Sequence, residues 1–416
     1  MEMRFTRFLR HASVTPAAIF SDAGAKTGRL AAGRDVLAIQ DTSDLCLGGG
    51  RRRGQGFGPV GKGGALRGLV LHAVLAVDAS SGEVVGLAGA EIWNRTGVQV
   101  TARAGRTLEE KESLRWVSGA AAAGKVLAGA SSITVVADRE SDIYEDFARC
   151  PANVQLLVRS RHDRCLEDGG RLYARLDAQP QAGGLEVIDI PAKPGQAARK
   201  ARFELRFCVA QVKAPGSGMP KAALCQLPPS LTLCVVDMRE VGAAPGIVPV
   251  HWRLITTHKV ETRQAALALV QMYRRRWAVE EYFHTLKTGG FAIEDARVGA
   301  PEAMMVLAAA AAAAAVTVMQ LIKARDNPLA APITSVFDAQ DCQIIGAVNA
   351  DYEGPAPRPR QKNPHPKQSL AYATWVIGRL GGWTGYYDKP GPKTLSRGMQ
   401  AFERIKQGTK LTVKDV

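Results

Sequence analysis

Two short apolar runs, each closing on an aspartate, constrain this chain more than any other feature. Val36-Leu37-Ala38-Ile39-Gln40-Asp41 and Ile133-Thr134-Val135-Val136-Ala137-Asp138 read as buried strands, since continuous runs of branched side chains suit a strand covered on both faces. Between them, Leu69 to Val77 and Val84 to Trp93 are strand runs joined by Asp78-Ala79-Ser80-Ser81-Gly82, a hairpin turn by composition. Thr107 with Glu110 forms a capping box for a helix running towards Leu127, and another helix follows from about Asp142. The predicted order is strand, hairpin of two strands, helix, strand, helix. Asp41 and Asp138 then lie side by side on neighbouring strands.

That order defines the fold class as α/β with an RNase H-like core, a mixed central sheet flanked by helices. From 151 to 255 the texture changes. Arg202-Phe203-Glu204-Leu205-Arg206-Phe207 alternates with period two, and Leu231 to Val236 and His251 to Thr256 are further strand runs. Proline and glycine punctuate them at Lys193-Pro194-Gly195 and Ala214-Pro215-Gly216-Ser217-Gly218, as expected of a β-rich insertion interrupting the core. The expected domains are 1–30, an N-terminal DNA-binding remnant; 31–150, the first part of the core; 151–255, the insertion; 256–330, the second part of the core; and 331–416, a helical basic C-terminal region for DNA contact or dimerisation.

A third acid comes from Tyr273-Arg274-Arg275-Arg276-Trp277-Ala278-Val279-Glu280-Glu281-Tyr282-Phe283-His284-Thr285-Leu286-Lys287, which lacks proline and glycine and stops at Gly289-Gly290. On one helix, Tyr273, Arg276, Glu280 and Lys287 fall within roughly 60° of each other, and Val279, Tyr282 and Leu286 face the core. The polar face is a carboxylate flanked by cations and a phenol. A solvated charged face is the plain alternative.

Charge points to the same class of partner. Lys and Arg number 54 against 39 acids, so the net charge is 54 − 39 = +15, and a polyanion, most commonly nucleic acid, is the expected partner. The segment from Gly354 to Val416 carries 12 Lys/Arg and 3 acids, 12 − 3 = +9, after a proline-rich linker from Pro355 to Pro366. Gly48-Gly49-Gly50-Arg51-Arg52-Arg53-Gly54 is either a wrap for a phosphate backbone or a plain basic loop, and no P-loop sequence follows it. Seven scattered cysteines form no C-x-x-C pair, which argues against a disulfide framework or a zinc site and fits a reducing, cytoplasmic setting. Met304 to Ile322 is long and apolar, but its alanine centre with Thr317 and Gln320 suits a closely packed buried helix and no membrane is expected.

Three carboxylates brought together repel unless cations neutralise them, so a cluster of Asp41, Asp138 and Glu280 implies Mg²⁺ or Mn²⁺. Two such ions about 3.5–4 Å apart clamp the attacking and leaving oxygens of a phosphoryl displacement. Arg276 and Lys287 would hold phosphates and Tyr273 would donate a hydrogen bond to one.

Tyr273, Arg276, Glu280 and Lys287 also match Y-x2-R-x3-E-x6-K, and the chain resembles insertion-sequence DDE transposases of the IS-four family, the hairpin-forming cut-and-paste type. Gln40-Asp41-Thr42-Ser43 and Ala137-Asp138-Arg139-Glu140-Ser141-Asp142 are similar to that family's segments around its first and second catalytic aspartates. Further similar segments are Lys111-Glu112-Ser113 with Trp116, Val158-Arg159-Ser160-Arg161, Gly381-Gly382-Trp383-Thr384-Gly385 and Pro390-Gly391-Pro392-Lys393-Thr394-Leu395, so the resemblance runs from about Phe8 to Phe402. It implies a catalytic triad of Asp41, Asp138 and Glu280 binding two Mg²⁺ or Mn²⁺ per site, nicking of transposon ends, hairpin formation and strand transfer to target DNA. It implies DNA contacts by Tyr273, Arg276, Lys287, Arg159, Arg161 and His284, and a wedge at Trp252 where a base flips out, with a core tryptophan as the other possibility. Glu140, Asp142 and Glu281 are expected to be structural or to support the site from behind. Double-stranded DNA, a homodimer in the synaptic complex and a bacterial, nucleoid-associated location follow from the same resemblance. Only 40 residues precede Asp41, so much of the family's N-terminal end-binding module is expected to be missing. The alternatives are a truncated remnant that binds DNA or inhibits a full-length partner, and a generic metal-dependent nuclease or resolvase.

Overall fold

The computed structural model describes residues 2–47, 56–95, 105–192, 196–218, 220–327, 331–354, 362–386 and 388–412. The glycine-rich basic loop from Gly48, the turn Lys193-Pro194-Gly195 and the first part of the proline-rich linker lie outside the described residues. The chain forms two compact units, each discontinuous in sequence: Met1–Asp35, Thr42–Gly97 and Ala278–Val416 make the first, Val36–Asp41 and Val98–Trp277 the second.

In the first unit the strands are the later part of β1 (Asp35–Cys46), β2 (Gly58–Val60), β3 (Leu66–Asp78) and β4 (Val84–Trp93). β3 pairs antiparallel with β4, from Val70 opposite Trp93 to Val77 opposite Val84, and with β2 at its start. The hairpin turn forms as expected: Asp78 Oδ1 accepts from Ser80 N and Ser81 N, both at 2.9 Å. Burial opposes ionisation of Asp78, but the hydrogen bonds from Ser80 and Ser81 prevail and hold its carboxyl down at about 2.

Helix Pro16–Ala31 starts with Thr15 as its cap, whose Oγ1 accepts from Ala18 N at 3.1 Å, and packs on β4. Gly86 makes that approach possible, since a Cβ there would stand 2.1 Å from Thr27 Oγ1. The alanine-rich segment becomes helix Pro301–Asp326, which packs against β4 and against helix Pro16–Ala31. By length and composition it is apolar enough to cross a membrane, yet 61% of its most apolar window is buried inside the protein. Small side chains allow that close packing, and Gln320 Nε2 donates to Val85 O at 3.1 Å within it. Helices Leu370–Leu380 and Pro392–Thr412 pack on the end of helix Pro301–Asp326 in a cluster with Val318, Leu321, Trp375, Ile377, Leu395 and Phe402.

The second unit is built on one sheet in the order β1, β5 (Ser132–Ala137), β6 (Gln155–Arg159), β10 (His251–Thr256), β9 (Ser230–Val241), β8 (Arg199–Lys213), β7 (Glu186–Ile190). β5 and β6 run parallel and the strands from β6 to β7 pair antiparallel, so the sheet is mixed. The strands between 151 and 255 therefore extend the same sheet that carries Asp41. Helix Leu114–Val126 packs on β5, and helix Arg263–Arg274 on β5 and β6.

Two local expectations change. Glu110 does accept from Thr107 N, at 2.7 Å, but the pair closes a turn and the helix begins only at Leu114. β1 does not stop at Asp41 but continues to Cys46, with the buried run Val36–Gln40 ending where Asp41 begins.

Candidate active site

In the second unit, β1 carries Asp41 and its neighbour β5 delivers Asp138 immediately after Ala137. Asp138 has left the strand geometry and caps the short 3₁₀ turn Arg139–Ser141, its Oδ1 accepting from Arg139 N at 2.6 Å. Arg159 ends β6, one step beyond the pairing of Ala137 with Val158, and its Nη2 donates to His251 O at 3.2 Å. Parallel pairing of β5 and β6 thus brings an acid and a cation to the same end of the sheet.

Helix Arg263–Arg274 completes the group. Thr262 caps it, accepting from Ala265 N at 3.2 Å, and Tyr273 is buried on its inner face. Arg276 Nη1 lies 3.2 Å from Asp41 Oδ2, both side chains being largely buried. Its guanidinium also stands 6.0 Å from the centre of the Tyr273 ring. Burial pushes the Tyr273 hydroxyl above the usual tyrosine range, with Arg276 and Arg159 opposing and Asp138 reinforcing the shift. The phenol therefore remains a proton donor at neutral pH. Asp41, Arg276, Tyr273, Asp138 and Arg159 are linked electrostatically within this one unit.

In the first unit, Glu280 is half-buried on helix Trp277–His284. Lys287 Nζ reaches Ser43 Oγ at 3.1 Å and Glu294 Oε1 at 3.4 Å, and Glu294 Oε1 also accepts from Cys46 N at 2.8 Å. His284 is exposed, and its Nδ1 lies 2.9 Å from Thr288 Oγ1.

The stretch 273–287 is not one uninterrupted helix. Arg275 N and Arg276 N donate to the carbonyls of Met272 and Tyr273, three residues back, so the chain tightens there before helix Trp277–His284. A wider π-turn then spans Thr285–Gly289 and carries Lys287. Both distortions fall where a side chain has a distant partner: Arg276 on Asp41, Lys287 on Ser43 and Glu294. Such departures from the α-helix recur at functional sites.

The remaining anticipated residues separate into two kinds. Trp252, on β10, is half-buried and stacks on Phe203 with ring centres 5.7 Å apart and planes within 4°. It lines a groove with Arg159, Gln196, Val248, Pro249 and His251. Arg161 is exposed, while its backbone N–H donates to Asp142 Oδ2 at 2.6 Å. Buried Asp142 also accepts from His162 N at 3.0 Å and pairs with Arg164, so it fixes the 161–164 loop. Glu140 pairs with Arg115 at 3.0 Å and Glu281 with Lys323 at 2.7 Å. Ser43 and Glu294 were not anticipated as partners of Lys287. Ser43 stands two residues from Asp41, a signal that was available, whereas no local pattern marks Glu294.

The donors carried by β1 and the turn after β5 are hard carboxylate oxygens, the chemistry that suits Mg²⁺ or Mn²⁺. The Arg276 guanidinium already sits against one of them, Asp41. Among the described residues, no three His, Cys, Asp or Glu side chains gather into a cluster able to hold a metal ion.

A mixed sheet with helices against it, bearing strand-borne acids beside arginines, is compatible with an RNase H-like nucleic-acid-processing domain. A family model for the transposase DDE domain matches residues 61–317, more than half of the chain, and the protein belongs to that family. The matched span contains Asp138 and Glu280 and begins after Asp41. Membership carries a transposase function and DNA as the substrate.

Proposed function

We propose that this protein cleaves and joins the ends of an insertion sequence of the IS-four type, with Asp41, Asp138 and Glu280 as its catalytic carboxylates. The observation that carries this reading is the linkage of Asp41 and Asp138 to Arg276, Tyr273 and Arg159 in the second unit. Two Mg²⁺ or Mn²⁺ ions bound by the carboxylates would raise the nucleophilicity of the attacking oxygen and stabilise the leaving one. Arg276, Lys287 and Arg159 supply positive charge for phosphates, and Tyr273 keeps its proton and donates it in a hydrogen bond. Trp252 stacks on a base displaced from the duplex, its own ring held flat by Phe203.

The bond changes need no protein nucleophile. Water attacks phosphorus and the 3′-oxygen of the transposon end departs as a hydroxyl, leaving a 5′-phosphate on the flank. That 3′-hydroxyl then attacks a phosphodiester of the opposite strand, expelling the flank's 3′-oxygen as a hydroxyl and closing a hairpin. A second water opens the hairpin phosphodiester, regenerating the 3′-hydroxyl and leaving a 5′-phosphate, and that 3′-hydroxyl attacks a target phosphodiester and expels the target strand's 3′-oxygen. Two copies of the chain act together on paired ends in this proposal.

The test incubates purified protein with Mg²⁺ and DNA bearing the element's terminal inverted repeats, alongside Glu280→Gln. Hairpin-ended products that vanish in the variant are expected. DNA binding without cleavage by either protein would overturn the proposal and favour an inhibitory, DNA-binding role.

A further inference from the structure

Asp146 is a fully buried acid that the chemistry above does not use. It lies on the short helix Tyr144–Ala148 with no exposed surface, and its neighbour Glu145 is nearly as buried. Its Oδ2 accepts from Ser141 Oγ at 2.6 Å, and its Oδ1 has no hydrogen-bond partner among the described residues. Burial lifts its carboxyl to about 7, with the Ser141 hydrogen bond opposing and the Glu145 charge adding. A buried carboxylate satisfied on one oxygen is costly, and an apolar side chain would pack there at lower cost.

Its contact explains what that cost secures. Ser141 is itself fully buried and closes the turn that Asp138 opens: Ser141 N donates to Asp138 O at 3.0 Å, while Arg139 N donates to Asp138 Oδ1 at 2.6 Å. One end of the turn is thus anchored in the interior through Ser141, and the next residue, Asp142, is anchored separately by the 161–164 loop. The Asp138 side chain is a third exposed, and among the described residues its one close side-chain ion pair is with Arg139 at 4.0 Å. Its direction therefore depends on the turn.

Building on the proposed role of Asp138, we propose that Asp146 is a positioning residue for metal binding: by clamping Ser141 it fixes the 3₁₀ turn from which Asp138 presents its carboxylate. The clamp acts through hydrogen-bond acceptance, so charge at residue 146 is dispensable and an acceptor oxygen is not.

The experiment measures Mn²⁺ binding to the full chain without DNA by titration calorimetry, with thermal melting as the control for folding. Ser141→Ala and Asp146→Leu are expected to weaken Mn²⁺ binding by about tenfold, the scale at which supports behind metal ligands act. Asp146→Asn, whose amide oxygen still accepts from Ser141, is expected to bind as the parent chain does. If Asp146→Leu fails to fold, Ser141→Ala decides the matter. Unchanged Mn²⁺ affinity in Ser141→Ala, with Asp138→Asn weakened, overturns the clamp alone. Unchanged affinity in Asp138→Asn overturns the role of Asp138 and the clamp with it.

Discussion

Arg276 Nη1 stands 3.2 Å from Asp41 Oδ2, pairing the arginine just beyond helix Arg263–Arg274 with the acid at the limit of the buried part of β1. Their side chains are only 15% and 25% exposed, so the attraction is weakly screened. Arg276→Ala is expected to slow end cleavage by about 10²-fold, the usual scale for loss of one oriented donor at developing charge. Arg276→Lys keeps a point charge without the planar fork and should fall between. Single-turnover cleavage at saturating DNA checks this; an unchanged Arg276→Ala rate removes Arg276 from the chemistry.

Trp252 offers a separation of steps. Trp252→Ala removes the ring that Phe203 holds flat and that would stack on the displaced base, and hairpin formation should fall by roughly 10–100-fold, in line with about 1–3 kcal/mol for one base–aromatic stack. The first nick should persist. Resolving nicked and hairpin products on a denaturing gel distinguishes the outcomes, and equal loss of both steps points to a purely structural tryptophan.

Packing in the C-terminal cluster tolerates no side chain at two glycines. A Cβ at Gly398 would stand 1.9 Å from Ile377 O, and one at Gly381 would stand 2.0 Å from Thr394 O. Gly398→Ala forces helices Leu370–Leu380 and Pro392–Thr412 apart and should cost about 1–3 kcal/mol. Thermal melting reads it directly: a midpoint equal to that of the parent chain would mean the contact is absent in solution.

Asp146 gives stability a pH dependence of definite sign. Its carboxyl is raised to about 7 in the folded chain, above the value of about 3.9 typical of an unfolded aspartate. The folded state therefore holds the proton more tightly, and this group's contribution is lost as pH rises from about 4 to about 7. Asp146→Asn should flatten that part of the profile and raise the melting temperature at pH 7. Parallel profiles for the two proteins would contradict the assignment.

Much of this was legible locally. Val36–Gln40 and Ile133–Ala137 had to be strands, because such runs are stable only when covered on both faces, and the acids after them had to emerge where burial ends. The hairpin before helix Leu114–Val126 followed from its turn residues. Helix Trp277–His284 was legible too, but the tightening at Arg275–Arg276 and the π-turn at Thr285–Gly289 were not. Periodicity carries no record of the distant partners, Asp41 for Arg276 and Ser43 for Lys287, that accompany those distortions.

The same division holds for the site as a whole. The order of residues alone determined most of the elements and the chemistry of their acids and cations, and it pointed to the transposase family, since these depend on neighbours along the chain. Tertiary structure decided which acid meets which cation: Arg276 on Asp41, Lys287 on Ser43 and Glu294, and Ser141 on Asp146 behind Asp138. The reason is physical. Backbone propensity is set within a few residues, whereas ion pairs and buried hydrogen bonds are chosen by whatever the fold brings within about 3 Å, at any separation in sequence.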